Sequence, residues 1–314
     1  MEEMQLVPVH MGMLDDFPAS PELPDGAIPV KWADEPGMMV DIQTDVVYDE
    51  RDGETLHLQI LLPLELMPMM EPPTKKFPLI VYVPGSAWMR QTPKLFLPRM
   101  IKIAQRGYAV AIVQYRPSEV AGFPAQIEDA KTAIRFMRKH AEEYRILTEK
   151  IALYGDSSGG HTAVMAGITG AGLFDNGQYG EFSCEAACIV DSFGPTDVSL
   201  MNYYPSAMDH HSAISPEGML LGGVDVLENV ELARKASPMS YLSREKEIPP
   251  MLMMHGDRDQ LVPFNQSVRL YNLLKELGKE VTFYKLEGAF HGTGGFGSKE
   301  AQEIILSFVA KHIG

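Results

Sequence analysis

The chain has 314 residues, 45% of them apolar, with 27 Lys and Arg against 42 Asp and Glu and a formal charge of −15. That length can bury a sizeable core, and the composition is unlike that of disordered or collagen-like sequences. The charge repels phosphate backbones and anionic lipid surfaces, so neither nucleic acid nor a membrane surface is an expected partner.

The N-terminal MEEMQLVPVH is acidic and lacks an apolar h-region, so it does not read as a secretory signal. Residues 1–38 carry Pro8, Pro18, Pro21, Pro24, Pro29 and Pro36 and read as an extended arm. Two alternating runs follow, VDIQTDVVYDE from Val40 and ETLHLQILLP from Glu54. The turn signal Arg51-Asp52-Gly53 lies between them, which predicts a hairpin at a sheet edge. The apolar stretch Leu58 to Met70 is broken by prolines and is too short to span a bilayer, so the expected location is the cytoplasm.

From Phe77 the pattern changes to short, nearly continuous apolar runs. These are FPLIVYV, YAVAIVQY, KIALYG, ACIVDSFG, PMLMMHG and VTFYKLE. Apolarity on both faces marks parallel strands covered by helices. Helical segments alternate with the runs. In Pro124 to Glu143, the residues Ile127, Ala130, Ile134, Met137 and Ala141 share one helical face. Phe264 to Leu277 and Lys299 to Lys311 also read as helices, the former ending at Gly278. The order predicts an α/β fold with one mostly parallel sheet.

The chemistry centres on YGDSSGG from Tyr154. A buried strand enters and a small-residue helix leaves, the context a GxSxG nucleophile turn requires. Of the two serines only Ser157 has glycine at both −2 and +2. A serine needs a base oriented by a third group. His291, in the glycine-flanked GAFHG after the last strand, is the candidate base. Asp259, in HGDRDQLVP after the preceding strand, is the candidate acid, while Asp257 reads as bracing the turn. The order Ser157, Asp259, His291 is that of α/β-hydrolases. For the oxyanion hole, the candidate donors are the N–H of Ser158 and that of Ser86 in the loop PGSAW.

YVPGSAW, VQYRPSEVAGFPAQIEDAKTAIRFMRKHA, YGDSSGGHTAVMAG, SPMSYLS, and HGDRDQLVPFNQSVRLYNLL followed by FHG resemble the α/β-hydrolase esterases of the feruloyl/acetyl-xylan esterase type. That group is related to hormone-sensitive-lipase-like esterases. The resemblance covers roughly residues 54 to 314 and implies an eight-stranded α/β-hydrolase sheet, ester hydrolysis and no cofactor. Where the family carries HGGGW, this chain has PGSAW, with side chains at Ser86 and Ala87. The expected arrangement is one catalytic domain over residues 39–314 with a variable insertion at about 195–247.

The rest of the chain adds candidate contacts and several bland features. Trp88, Tyr203 and Tyr204 are candidate substrate contacts, because an insertion in this fold overhangs the pocket. Cys184 and Cys188 read as buried thiols, and His161 as packing and hydrogen bonding. His210-His211 beside Asp209 reads as a polar loop, with no HExxH-type metal spacing. The function expected from the sequence is a serine carboxylesterase acting on short, above all acetyl, esters of a small molecule or oligosaccharide. A feruloyl esterase, a lipase-like esterase, a prolyl-oligopeptidase-type peptidase and a silent binding protein are the alternatives. A homodimer is left open.

Overall fold

In the computed structural model the structure describes residues 18–30, 38–64 and 74–314. Most of the proline-rich arm and the end of the Leu58 to Met70 stretch lie outside these residues. The strands are β1 Met39–Arg51, β2 Glu54–Leu64, β3 Phe77–Val83, β4 Ala109–Val113, β5 Ile146–Asp156, β6 Cys188–Ser192, β7 Met251–Gly256 and β8 Val281–Leu286. The helices are α1 Leu97–Ala104, α2 Ala125–Lys139, α3 Ser158–Thr169, α4 Pro216–Leu220, α5 Val230–Lys235, α6 Asn265–Glu276 and α7 Lys299–Ile313.

The eight strands form one sheet in the order β1-β2-β4-β3-β5-β6-β7-β8. β1 and β2 pair antiparallel as the expected hairpin, and β2 joins β4 antiparallel. Every pairing from β4 through β3 to β8 is parallel. The continuous apolar runs have a direct cause in β3. Leu79, Val81 and Val83 face one core, while Ile80 and Tyr82 face the other. α2, α3 and α6 cover the first face; α1 and α7 cover the second. The predicted α2 face is buried throughout, at Ile127, Ala130, Ile134 and Met137.

The antiparallel edge is pinned by a charge cluster. Buried Arg116, just after β4, donates to both Asp129 oxygens and also reaches Asp52 in the β1–β2 turn at 2.6 Å. This links the hairpin to α2. Cys184 and Cys188 are free and buried, and burial pushes the Cys188 thiol up to about 12.

Between β6 and β7 the chain forms the short helices α4 and α5 and 3-10 turns rather than a regular layer. Trp88, Val198, Leu220, Leu221, Val226, Ala233 and Ala236 make a small third core there. Burial of these apolar side chains fastens the segment above the C-terminal ends of the strands.

Candidate active site

β5 ends at Asp156 and α3 begins at Ser158, so Ser157 alone makes the turn, at φ 53° and ψ −130°. That backbone is disfavoured for an L-residue and survives only where the surroundings enforce it. The flanking glycines are required by space. A Cβ at Gly155 would lie 2.1 Å from the Gly159 carbonyl oxygen, and one at Gly159 2.0 Å from that of Val83. The Ser157 N–H donates to the Ser192 carbonyl at 2.9 Å, tying the turn to β6.

Three loops bring their residues together at this edge. His291 Nε2 is 2.9 Å from Ser157 Oγ, and His291 Nδ1 is 2.8 Å from Asp259 Oδ2. With Nδ1–H donating to the carboxylate, the Nε2 lone pair faces the serine hydroxyl. Asp259 Oδ1 accepts the N–H groups of Leu261 and Val262, each at 2.9 Å. A second imidazole, His255, places Nε2 3.2 Å from Asp259 Oδ2. Burial pushes the Asp259 carboxyl up, but the hydrogen bonds from His255 and His291 outweigh it and hold the group well below the usual carboxylate range. Asp257 stands apart from this set: its Oδ1 accepts the Gly288 N–H at 2.7 Å. The Phe193 ring packs against the His291 imidazole at 4.7 Å between centroids.

The loop after β3 is held from below. Asp156 Oδ1 accepts the Gly85 N–H at 2.9 Å and the Tyr82 hydroxyl at 2.8 Å. Here the structure corrects an expectation. The Ser86 N–H donates to Ser158 Oγ at 2.9 Å, so it is already engaged by protein. The Ser86 hydroxyl is turned to the Met89 carbonyl at 2.6 Å, with Tyr115 Oη 3.0 Å away. Among the described residues, the N–H groups of Ala87 and Ser158 have no protein acceptor. Ser158 opens α3, where an N–H has no intrahelical partner. Ala87 and Trp88 follow at φ 55° and 56°, left-handed positions where the resembled pattern has glycine at the first.

These groups line one cavity of about 320 Å³, with walls that include Ser86, Ala87, Ser157, Ser158, Phe193 and His291. Two of the three aromatic expectations, Tyr203 and Tyr204, are also corrected. Tyr203 is 68% exposed and Tyr204 half-buried, and neither lines this cavity. The 3-10 turn over Val198–Tyr203 buries Val198, Ser199 and Met201, which leaves Tyr203 on its outer side. Trp88 borders the cavity but is 1% exposed, and its indole N–H donates to His161 Nδ1 at 3.2 Å. His161 in turn donates from Nε2 to the Ala236 carbonyl at 2.6 Å, and burial pulls its imidazole down to about 4. Trp88 is therefore a strut between the β3 loop and the insertion rather than an open stacking face.

The insertion contributes other residues instead: Met208, His210, Pro216 and Glu217 line the cavity. His210 and Glu217 are each 2% exposed and pair through Nδ1 and Oε1 at 3.0 Å. His211 points elsewhere, 3.2 Å from Asp225. Sequence reasoning missed the pair; the one usable signal was Ser215-Pro216, a helix start that places Glu217 in the first turn of α4. Among the described residues no group of three His, Cys, Asp or Glu could hold a metal ion, and no helix is long and apolar enough to cross a membrane.

A mostly parallel sheet with a serine turn after β5, a carboxylate after β7 and a histidine after β8 defines an α/β-hydrolase. The family model BD-FAE matches residues 67–274, and the chain belongs to that family. Esterase LipC of Mycobacterium tuberculosis is 29% identical over 232 residues, which cover 70% of this chain and 54% of that protein. The chain thus spans about half the length of this curated relative. A truncated carbohydrate esterase from gut microbiota superposes with a TM-score of 0.74 at 29% identity, covering 90% of this chain and 99% of that one. Esterase 2 of Thermogutta terrifontis with butyrate bound gives 0.65 at 25% identity, covering 88% and 94%.

Proposed function

We propose that this protein is a serine carboxylesterase that removes short acyl groups, above all acetyl, from carbohydrate esters. The observation that carries the reading is His291 standing between Ser157 Oγ at 2.9 Å and Asp259 Oδ2 at 2.8 Å. Ser157 Oγ attacks the ester carbonyl while His291 Nε2 takes its proton, and Asp259 holds the imidazole and balances its charge. The carbonyl oxygen becomes an oxyanion that the N–H groups of Ser158 and Ala87 receive. His291 then protonates the leaving alcohol. Water, deprotonated by the same imidazole, releases the acid from the acyl-enzyme. No cofactor enters this sequence.

The acetyl preference rests on Ala87, whose methyl group takes up cavity space where the resembled pattern has glycine. The carbohydrate preference is supported by the gut-microbiota relative, a carbohydrate esterase by its name. The catalytic unit of this reading is one domain over residues 39–314, acting in the cytoplasm without a nucleic-acid or membrane partner.

The test is hydrolysis of p-nitrophenyl acetate by the wild type and Ser157→Ala. A working triad loses on the order of 10³-fold or more in kcat; equal rates would overturn the esterase reading. Release of acetate from acetylated xylo-oligosaccharides, compared with p-nitrophenyl octanoate turnover, tests the substrate. A higher kcat/KM on the octanoate would overturn the acetyl preference.

A further inference from the structure

The Ala87 N–H, one of the two donors assigned to the oxyanion, lies in a turn that its own residues disfavour. The Met89 N–H donates to the Ser86 carbonyl at 3.0 Å, and the two residues between them, Ala87 and Trp88, stand at φ 55° and 56°. A turn with both central residues left-handed suits glycine and asparagine. Alanine followed by tryptophan holds it only where the surroundings enforce it. The Trp88 carbonyl accepts the Ser118 N–H at 2.8 Å, and α3 grips the turn on both sides of Ala87. Before Ala87, Ser158 Oγ accepts the Ser86 N–H at 2.9 Å. After it, His161 Nδ1 accepts the Trp88 indole N–H at 3.2 Å.

His161 suits this task by place and by chemistry. Its backbone N–H donates to the Ser157 carbonyl at 3.1 Å, so it sits one turn into the helix that opens at Ser158, whose N–H is the other oxyanion donor. Its Nε2 lies 2.6 Å from the Ala236 carbonyl, which only accepts, so Nε2 carries the proton and Nδ1 the lone pair. An indole N–H only donates, so Trp88 meets the one imidazole form that can receive it. Both residues are 1% exposed, with the rings edge to face at 5.1 Å between centroids. A proton on Nδ1 would set two donors against each other. Burial pulls the imidazole down to about 4, which keeps the lone pair available near neutrality.

We infer that His161 is a positioning residue for the oxyanion hole: through the Trp88 indole it fixes the Ala87 N–H against the Ser158 N–H, and through Ala236 it ties that spacing to the insertion. The inference rests on the esterase reading and deepens it. Two donors aimed at one oxygen from two elements work only at a set separation, and a shift of about 1 Å can cost on the order of 100-fold. His161 does not line the cavity; it acts through Trp88.

The test is kinetics on p-nitrophenyl acetate with His161→Leu, His161→Gln, Trp88→Phe and the double variant Trp88→Phe/His161→Leu, each assayed below its unfolding temperature. His161→Leu should lower kcat by about tenfold to 100-fold with KM within about twofold, since the lost alignment matters for the oxyanion and not for the bound ester. His161→Gln, whose amide both accepts and donates, should recover part of the loss. Trp88→Phe keeps an aromatic ring, removes the donor and should lower kcat likewise. Adding His161→Leu to it should cost less than the product of the two single losses. Should His161→Leu not fold, Trp88→Phe alone carries the test, and a wild-type kcat in that variant would overturn the inference. So would a folded His161→Leu enzyme that loses only unfolding temperature, as a merely structural contact would. A KM that rises as much as kcat falls, or losses that multiply in the double variant, would overturn it too. The esterase reading fails separately, if Ser157→Ala matches wild type on p-nitrophenyl acetate.

Discussion

Ser158 Oγ accepts the N–H of Ser86 at 2.9 Å, so the residue after the Ser157 turn also holds the loop that faces it. Tyr115 Oη completes the contact, 3.2 Å from Ser158 Oγ and 3.0 Å from Ser86 Oγ. Three hydroxyls thereby set where the Ala87 N–H sits. Ser158→Ala removes the shared acceptor but leaves the Ser158 backbone N–H in place. We expect kcat on p-nitrophenyl acetate to fall about tenfold with KM little changed, because the interaction lost matters most for the oxyanion. Tyr115→Phe should cost less. A rise in kcat in Ser158→Ala would mean that the released Ser86 N–H is the better donor, and would reverse the assignment.

The strand-to-helix turn at Ser157 should not tolerate a single methyl group. Gly155→Ala and Gly159→Ala each place a Cβ within about 2 Å of a backbone carbonyl oxygen, far inside contact distance. Backbone cannot step aside as a flexible side chain can. Both variants should lose roughly 3 kcal/mol or more of stability, or fail to fold. Gly170→Ala, at the end of α3 with nothing within 4 Å of its Cβ, should cost only its left-handed strain. Thermal unfolding of the three variants checks the ranking, and a Gly155→Ala protein as stable as Gly170→Ala would refute it.

The contrast between these two cases shows what the sequence could reveal. The sheet, and the meeting of Ser157, Asp259 and His291 at its edge, were readable because each rests on a local signal: an apolar run, a glycine pair, a polar loop directly after a strand. Strand ends then supply proximity without further information. The Ser86 N–H was not readable, since its engagement depends on a hydroxyl 72 residues away. Trp88 looked like an open aromatic because nothing nearby in sequence shows His161 capping its N–H. His210 lies in an irregular loop and Glu217 in a five-residue helix too short to show a period, so their pairing is fixed only by tertiary packing.

Two buried groups pull the pH dependence of stability in opposite directions. His161 titrates at about 4 in the folded protein because burial disfavours its cation. Its unfolded value lies near 6.5, so between these values the unfolded chain binds more protons and stability rises with pH. Asp191 is fully buried in β6, the Gly194 N–H donates to its Oδ1, and burial pushes its carboxyl up to about 7. Here the folded state holds the extra proton between about pH 4 and 7, and stability falls as pH rises. Each contribution amounts to roughly 3–4 kcal/mol at its limit, and the two largely cancel. Asp191→Asn should therefore gain stability relative to wild type as pH is raised from 4 to 7, while His161→Asn should lose it as pH rises from 4 to 6.5. Denaturant unfolding at several pH values measures both; parallel profiles for wild type and Asp191→Asn would show that Asp191 does not titrate in this range.

Asp259→Asn joins the stability and activity arguments at one residue. In the wild type, Oδ1 receives two backbone N–H groups and Oδ2 receives two imidazoles, His291 at 2.8 Å and His255 at 3.2 Å. An asparagine can keep its oxygen on only one of these pairs. If it stays with Leu261 and Val262, its NH₂ confronts His291 Nδ1–H and forces the other tautomer, which puts a proton on Nε2. That imidazole can no longer take the proton of Ser157, and kcat should fall by about 10³- to 10⁴-fold with the fold intact. The stability effect has a defined pH window. Because the folded carboxyl titrates below its unfolded value of about 3.9, its contribution is complete above that pH and disappears as pH falls toward the folded value. The stability gap between wild type and Asp259→Asn should therefore be widest near neutrality and narrow below about pH 4. A gap that widens on acidification would mean that His255 and His291 do not hold Asp259 in its charged form.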